Sequence, residues 1–113
     1  EDSEDHTIRS MIDYLSDLLD LEYLPDEFKL YQNYPNPFNP LTTISFDIQQ
    51  SSDVLLSIYD LKGNMVYEYD FGYINPGLYN YVLDAKNFTS GVYIYSIGTS
   101  YGFNAHKQMI LIK

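Results

Sequence analysis

From Phe28 onward the chain changes face at every second residue. Ile44, Phe46 and Ile48 alternate with Ser45 and Asp47, and Val54, Leu56 and Ile58 alternate with Leu55, Ser57 and Tyr59. Further runs cover Met65–Tyr69, Leu78–Leu83, Val92–Ile97 and Phe103–Ile112. A period of two puts successive side chains on opposite faces of a strand, so each run can bury one face and wet the other. Turn chemistry separates the runs: Gln50-Ser51-Ser52-Asp53, Asp60-Leu61-Lys62-Gly63-Asn64, Asn75-Pro76-Gly77, Ser90-Gly91, and the stretch from Gly98 to Gly102. Gly63 suits the left-handed position that closes a short hairpin. Pro76-Gly77 suits the middle of a type II turn, with proline presetting φ and glycine supplying φ > 0. Six or seven short antiparallel strands at roughly 8–12-residue spacing predict an all-β sandwich.

A sandwich of about 85 residues buries only a modest share of its surface. The chain has no cysteine, so no disulfide constrains its unfolded state. It does have 13 tyrosines and no tryptophan. Tyr59, Tyr67, Tyr69, Tyr79, Tyr81, Tyr93 and Tyr95 fall in the strand runs. A tyrosine can lay its ring on the core while its hydroxyl reaches water or a backbone carbonyl, which predicts structural roles for most of them. A carbohydrate-binding aromatic platform is the competing reading, and the lack of tryptophan weighs against it.

Charge divides the chain. Overall it carries 16 acidic and 6 basic residues, a net of −10. With so few cations there is no electrostatic footprint for nucleic acid or for an anionic membrane surface. No apolar run approaches the roughly 20 residues of a membrane helix. Ten of the carboxylates lie in residues 1–30. In that leader Ile8, Met11, Ile12, Leu15, Leu18 and Leu19 recur at helical spacing, which predicts one amphipathic N-terminal helix over about 7–20. Leu24-Pro25 would end it. The division is therefore an acidic helical linker, or the tail of an upstream domain, over 1–27, and the sandwich over 28–113.

Catalytic and metal chemistry find little support. His6 and His106 are far apart and lack metal-ligand spacing. Ser90 stands in Thr89-Ser90-Gly91, which is not a nucleophile elbow. Asp60 and Asp84 sit beside turns, where aspartate bonds its own backbone. The reading is no enzyme, no cofactor and no metal.

Two segments stand out. In Leu30–Pro40, prolines 35, 37 and 40 remove three backbone donors and hold the chain extended. Asn33, Asn36 and Asn39 can fold their side chains onto nearby amides, and Tyr34 and Phe38 can anchor the run. In the last strand Ala105, Lys107, Met109, Leu111 and Lys113 alternate with His106, Gln108, Ile110 and Ile112. Both faces are apolar from Met109 to Ile112. Such a strand is either covered on both sides or offers one face to a partner, and an exposed edge could accept a partner strand.

The run Phe28-x-Leu30-x-Gln32-Asn33-Tyr34-Pro35-Asn36-Pro37-Phe38-Asn39-Pro40, followed by Thr42-x-Ile44-x-Phe46, resembles the opening of the type A C-terminal sorting domains of the bacterial type IX (Por) secretion system. Ile58-Tyr59-Asp60-x-x-Gly63, Ser90-Gly91-Val92-Tyr93-Ile94-Tyr95 and Lys107-x-Met109-x-Leu111-x-Lys113 resemble its central turn, its Ser-Gly-x-Tyr motif and its terminal strand. The resemblance covers about 28–113. It implies an Ig-like β-sandwich that acts as a sorting signal on exported cargo. The cargo would cross the periplasm, be recognised by the outer-membrane translocon and reach the cell surface, where a sortase removes the domain. The implied recognition residues are Asn33, Pro35, Asn36, Pro37, Phe38, Asn39, Pro40, Gly63, Gly91, Tyr93, Tyr95, Lys107, Met109, Leu111 and Lys113. Gly91 would act through its backbone, and Tyr93 would pack like the tyrosine at an Ig corner. The connection Asp70-Phe71-Gly72-Tyr73-Ile74-Asn75 is more aromatic than the family pattern, which leaves ordinary packing and a partner patch both open. The alternative to sorting is a structural Ig-like spacer or interaction module.

Overall fold

The structure, a computed structural model, describes residues 24–113. The N-terminal helix expected over 7–20 lies outside the described residues. Seven strands follow: β1 (Lys29–Leu30), β2 (Leu41–Ile48), β3 (Ser52–Asp60), β4 (Met65–Ile74), β5 (Gly77–Asp84), β6 (Gly91–Thr99) and β7 (Asn104–Leu111). They form two sheets, one in the order β1-β2-β5 and one in the order β4-β3-β6-β7, and every neighbouring pair is antiparallel. The result is an all-β sandwich at the upper of the two expected strand counts.

Period-two alternation decides which side chains meet between the sheets. Ile44, Phe46 and Ile48 from β2 and Leu83 from β5 pack against Val54, Leu56 and Ile58 from β3. Tyr93, Tyr95 and Ile97 from β6 and Met109 and Leu111 from β7 complete the core. Each large apolar side chain so buried stabilises the fold by about 1.5–3 kcal/mol before chain entropy is counted. Asp47 breaks the pattern. It occupies an outward position on β2 yet is buried, and the Tyr31 hydroxyl donates to its Oδ2 at 2.5 Å.

The tyrosines behave as the small core requires. Tyr93 and Tyr95 are buried, while Tyr67, Tyr79 and Tyr81 lie partly buried against the core. The Tyr93 hydroxyl donates to Thr89 O at 2.6 Å, and the Tyr79 hydroxyl to Asn75 O at 2.6 Å. The Tyr93 bond runs four residues back along the chain, which is the corner geometry expected of it. Between the edge strands β4 and β5 the rings form a seam. Tyr69, Phe71 and Tyr67 stand 4.9, 5.6 and 6.4 Å from Tyr81, and the hydroxyls of Tyr67 and Tyr81 bond to each other. Burial, and then the bond to Tyr67, raises the Tyr81 phenol above its ordinary range.

Turn expectations divide. Gly63 has φ of 90° and its N–H donates to Asp60 O at 3.1 Å, closing the β3–β4 hairpin as read. Asp60 Oδ1 accepts the N–H groups of Lys62 and Asn64, both at 2.9 Å. The bond from the Asn64 N–H leads the effects that hold the Asp60 carboxyl below its ordinary value. Pro76-Gly77 is not a type II turn. β4 and β5 belong to different sheets, so Asn75-Pro76 carries the chain between layers, and Gly77, at φ of 154°, already starts β5.

Nor are residues 70–74 a connection, since β4 runs through to Ile74. A register shift between Val54 and Leu55 marks a bulge in the β3–β4 ladder. Gly72 takes φ of 75° there, and its N–H donates to Asp70 Oδ1 at 2.8 Å. The bulge turns Phe71 inward, edge-on to Phe46 at 5.1 Å. Ordinary packing thus accounts for Phe71.

Candidate recognition site

The Asn/Pro-rich run folds along the side of the sandwich where β1 lies against β7. It starts as an extension of the three-stranded sheet: Tyr31 N–H donates to Ser45 O at 3.0 Å, and Tyr34 and Thr43 exchange backbone bonds at 3.0 and 2.9 Å. The chain then crosses to the other sheet. Phe38 N–H donates to Ile110 O and Ile112 N–H donates to Phe38 O, both at 3.0 Å, in a parallel bridge to β7. Side chains complete the contact. Gln32 Nε2 donates to Gln108 O at 2.7 Å, and Ile110 N–H donates to Asn36 Oδ1 at 2.9 Å. Residues 32–38 therefore cover the backbone edge of β7 from Gln108 to Ile112.

Sequence chemistry explains the shape. Pro35, Pro37 and Pro40 have no N–H to leave unpaired, and the peptide bonds before all three are cis. Asn33 is buried and is held on several sides. Its backbone N–H donates to the Tyr95 hydroxyl at 2.8 Å, and its Nδ2 to Thr42 Oγ1 at 2.9 Å and Pro35 O at 3.2 Å. Its Oδ1 accepts from Gln32 Nε2 at 2.7 Å. The Tyr95 hydroxyl in turn donates to Tyr31 O at 2.7 Å, so one phenol from β6 pins two backbone groups of the run. Burial pushes this phenol up to about 12, against the lowering effect of the Asn33 N–H. Phe38 is buried as well and belongs to the core.

The structure thus brings Asn33, Pro35, Asn36, Pro37, Phe38, Tyr95, Met109 and Leu111 into one region, with Asn39 and Pro40 leading out of it into β2. Met109 and Leu111 are buried on the inner face, and Lys107 is half-buried at the same parity. Ile110 and Ile112, on the outer face, are 38% and 54% exposed. Of the two expectations for the last strand, one covered face and one offered face is the arrangement found. The free edge expected there is taken over Gln108–Ile112 by the chain itself, because the asparagine and proline run supplies its backbone partners.

Lys113 lies beside the start of β6: its N–H donates to Ser90 Oγ at 3.0 Å and its Nζ to Lys86 O at 2.6 Å. Gly91 pairs with Leu111, and Tyr93 with Met109. Gly63 stands apart in the hairpin joining β3 to β4, strands on the far side of the four-stranded sheet from β7. Gln32, Thr42, Ser90 and Gln108 were not among the expected recognition residues, and each supplies a hydrogen bond to this region. Their signal in the sequence is a bare one: hydrogen-bonding residues next to the prolines or to the last strand. Among the described residues no group of three or more His, Cys, Asp or Glu converges as metal ligands would.

Two facing antiparallel sheets, with a proline-laced run sealed on the last strand, make an immunoglobulin-like β-sandwich. Residues 32–113 match the family described as the secretion system C-terminal sorting domain, and the chain belongs to that family. The module is a C-terminal sorting signal of type IX secretion, from a family of non-catalytic signal domains. Such a signal implies a secreted, cell-surface or extracellular protein. A comparison with curated proteins finds no match.

Two solved structures share the fold. One is a DUF3244 family protein with an immunoglobulin-like β-sandwich fold from Bacteroides vulgatus, at 17% identity and a TM-score of 0.50, over 74% of this chain and 98% of that one. The other is dimeric latent PorU from Porphyromonas gingivalis, at 21% identity and a TM-score of 0.58. That alignment covers 80% of this chain and 10% of PorU, so the chain spans about a tenth of it. No described helix is long and apolar enough to cross a membrane.

Proposed function

We propose that the translocon of the type IX system reads the surface built jointly by residues 32–40 and the last strand, and that a surface sortase then removes the module from its cargo. The observation that supports this reading is the seal itself. Two motifs more than 70 residues apart share hydrogen bonds, from the Ile110 N–H to Asn36 Oδ1 and from Gln32 Nε2 to Gln108 O. A reader docking there meets both motifs at once, with Ile110 and Ile112 presented beside them. Residues 1–27 act as the acidic linker to upstream cargo, and the cargo passes through the periplasm on its way. Of the fifteen residues named from the sequence, Asn33, Phe38, Tyr93, Tyr95, Met109 and Leu111 are buried and act by holding the read surface in shape, Gly63 acts through its turn, and the others stand at or beside that surface.

The test is a fusion of the chain behind a periplasmic reporter, in hosts with and without the translocon. Surface delivery in the competent host alone is the expected result, with delivery lost when Lys107–Lys113 are removed. Delivery by a truncated module that stays folded would exclude the last strand from the signal. Retention of the intact fusion in both hosts would leave a spacer role.

A further inference from the structure

The sandwich has a second long side, and no described residue bonds to the backbone of its edge. β5 is the outer strand of the three-stranded sheet, paired to β2 through eight consecutive residues with no bulge. The ladder tells which of its backbone groups are spent. Ala85 N–H donates to Pro40 O, which continues the β2–β5 register by one step. In an antiparallel pair bonding alternates, so Gly77, Tyr79, Tyr81 and Leu83 turn their backbone toward β2. Leu78, Asn80 and Val82 turn theirs to solvent. The same parity appears on the other edge of β2, where Thr43 and Ser45 bond to Tyr34 and Tyr31.

Edges of this kind usually carry a lysine, a proline or a bulge that blocks another strand. The other edge strand on this side, β4, has two register irregularities and the carboxylates of Glu68 and Asp70. β5, Gly-Leu-Tyr-Asn-Tyr-Val-Leu-Asp, has none of these devices until Asp84 at its end. Its outer face presents Leu78, 47% exposed, and Val82, 62% exposed.

We infer that the β5 edge binds a second copy of this chain by antiparallel strand addition across a two-fold axis at Asn80. Self-complementarity selects both the occupant and the register. Centred on Asn80, the pairing sets Leu78 opposite the partner copy's Val82, and Val82 opposite its Leu78, on the outer face. On the inner face Tyr79 stands opposite the partner copy's Tyr81. The pairs flanking the centre are apolar or aromatic, the kind that stabilises a ladder, and at the centre Asn80 meets the same amide of the partner copy. The residues with free backbone groups, Leu78, Asn80 and Val82, then face one another, and each such pair exchanges two N–H···O bonds. The two Asp84 carboxylates fall at opposite ends of the seam, so no like charges meet. Shifting the register by one residue would oppose outer-face to inner-face side chains, which the pleat forbids. The contact is isologous and closed, and joins two three-stranded sheets into one of six.

The test is sedimentation equilibrium of the full chain from micromolar to millimolar concentration. The wild type shows a monomer–dimer equilibrium. Val82→Lys and Leu78→Glu, both on exposed positions, each raise the dimer Kd by about tenfold or more. Mixing those two variants restores association, because the introduced lysine and glutamate face each other across the seam. Val66→Lys, on the other sheet, leaves the wild-type Kd unchanged. Far-UV circular dichroism verifies that each variant is folded. As dimer forms, deuterium exchange slows at the Leu78, Asn80 and Val82 amides. A wild type that stays monomeric to millimolar concentration overturns the inference. So does a dimer that survives both β5 variants, or a mixture that associates no better than either variant alone.

Discussion

Along the side where β1 lies against β7 the edge of the last strand is covered from Gln108 to Ile112; along the side formed by β4 and β5 no described residue covers the β5 edge. Both sides face the same problem, a row of N–H and C=O groups that will pair with whatever strand arrives. On the first, the chain answers with its own proline-laced run, tied down by Asn33, Asn36, Phe38 and the Tyr95 phenol. On the second, an aromatic seam closes the interior behind β4 and β5, but the backbone of β5 stays available. The lesson is that the residues marking this family are first of all a device for finishing a sandwich that lacks a disulfide. A surface that a translocon reads can be the outside of that device.

If the covered side is structural in this sense, damage to it must cost more than damage to the bare side. Phe38→Ala should do most harm. It empties a buried site and unseats the run from β7, and a loss of about 3–5 kcal/mol is expected by denaturant melting. Tyr95→Phe comes next. It leaves the Asn33 N–H and the Tyr31 C=O without their shared partner, at about 1–3 kcal/mol.

The same phenol predicts a pH effect. Its folded value is raised to about 12 from an ordinary value of 10.0, so its contribution is whole below pH 10 and is lost as pH climbs through 12. The melting-temperature gap between wild type and Tyr95→Phe should therefore narrow over that window. A gap constant from pH 8 to 12 would mean that the hydroxyl bonds are not what the variant removed.

Asn36→Ala should cost about 1 kcal/mol, since Ile110 N–H loses its acceptor but sits near water. On the bare side Tyr73→Ala, at a position 69% exposed, should fall within about 0.5 kcal/mol of wild type. A Tyr73 effect as large as that of Tyr95 would dissolve the contrast between the two sides.

Much of the architecture could be read directly. Ile44-Ser45-Phe46, Val54-Leu55-Leu56 and Tyr93-Ile94-Tyr95 state their buried faces by parity alone, and a short hairpin turn such as Asp60–Asn64 is local chemistry. What parity cannot show is a change of parity. The bulge at Val54/Leu55 moves Phe71 to the inner face, and so an aromatic strand end looked like a connection. A turn residue does not say which sheet the next strand joins, which is why Pro76-Gly77 suggested a local turn where the chain changes layer. Asp47 misled for another reason: Tyr31, sixteen residues away, covers an outward position.

At the recognition site the sequence supplied the parts but not their assembly. Asn36 and Ile110 are 74 residues apart, and nothing local in either announces a side-chain to backbone bond between them. Asn33 was expected to turn on a neighbouring amide. Its side chain reaches Pro35 O and also Thr42, and its amide meets a phenol from another strand.

Amide hydrogen exchange on the dilute, monomeric chain tests the contrast between the two sides most directly. The Phe38, Ile110 and Ile112 N–H groups, bonded across the covered side, should exchange at least about a hundredfold more slowly than those of Leu78, Asn80 and Val82 on the bare one. Equal rates at the two sets of amides would mean that the proline-laced run does not hold the last strand, and the account would fail there.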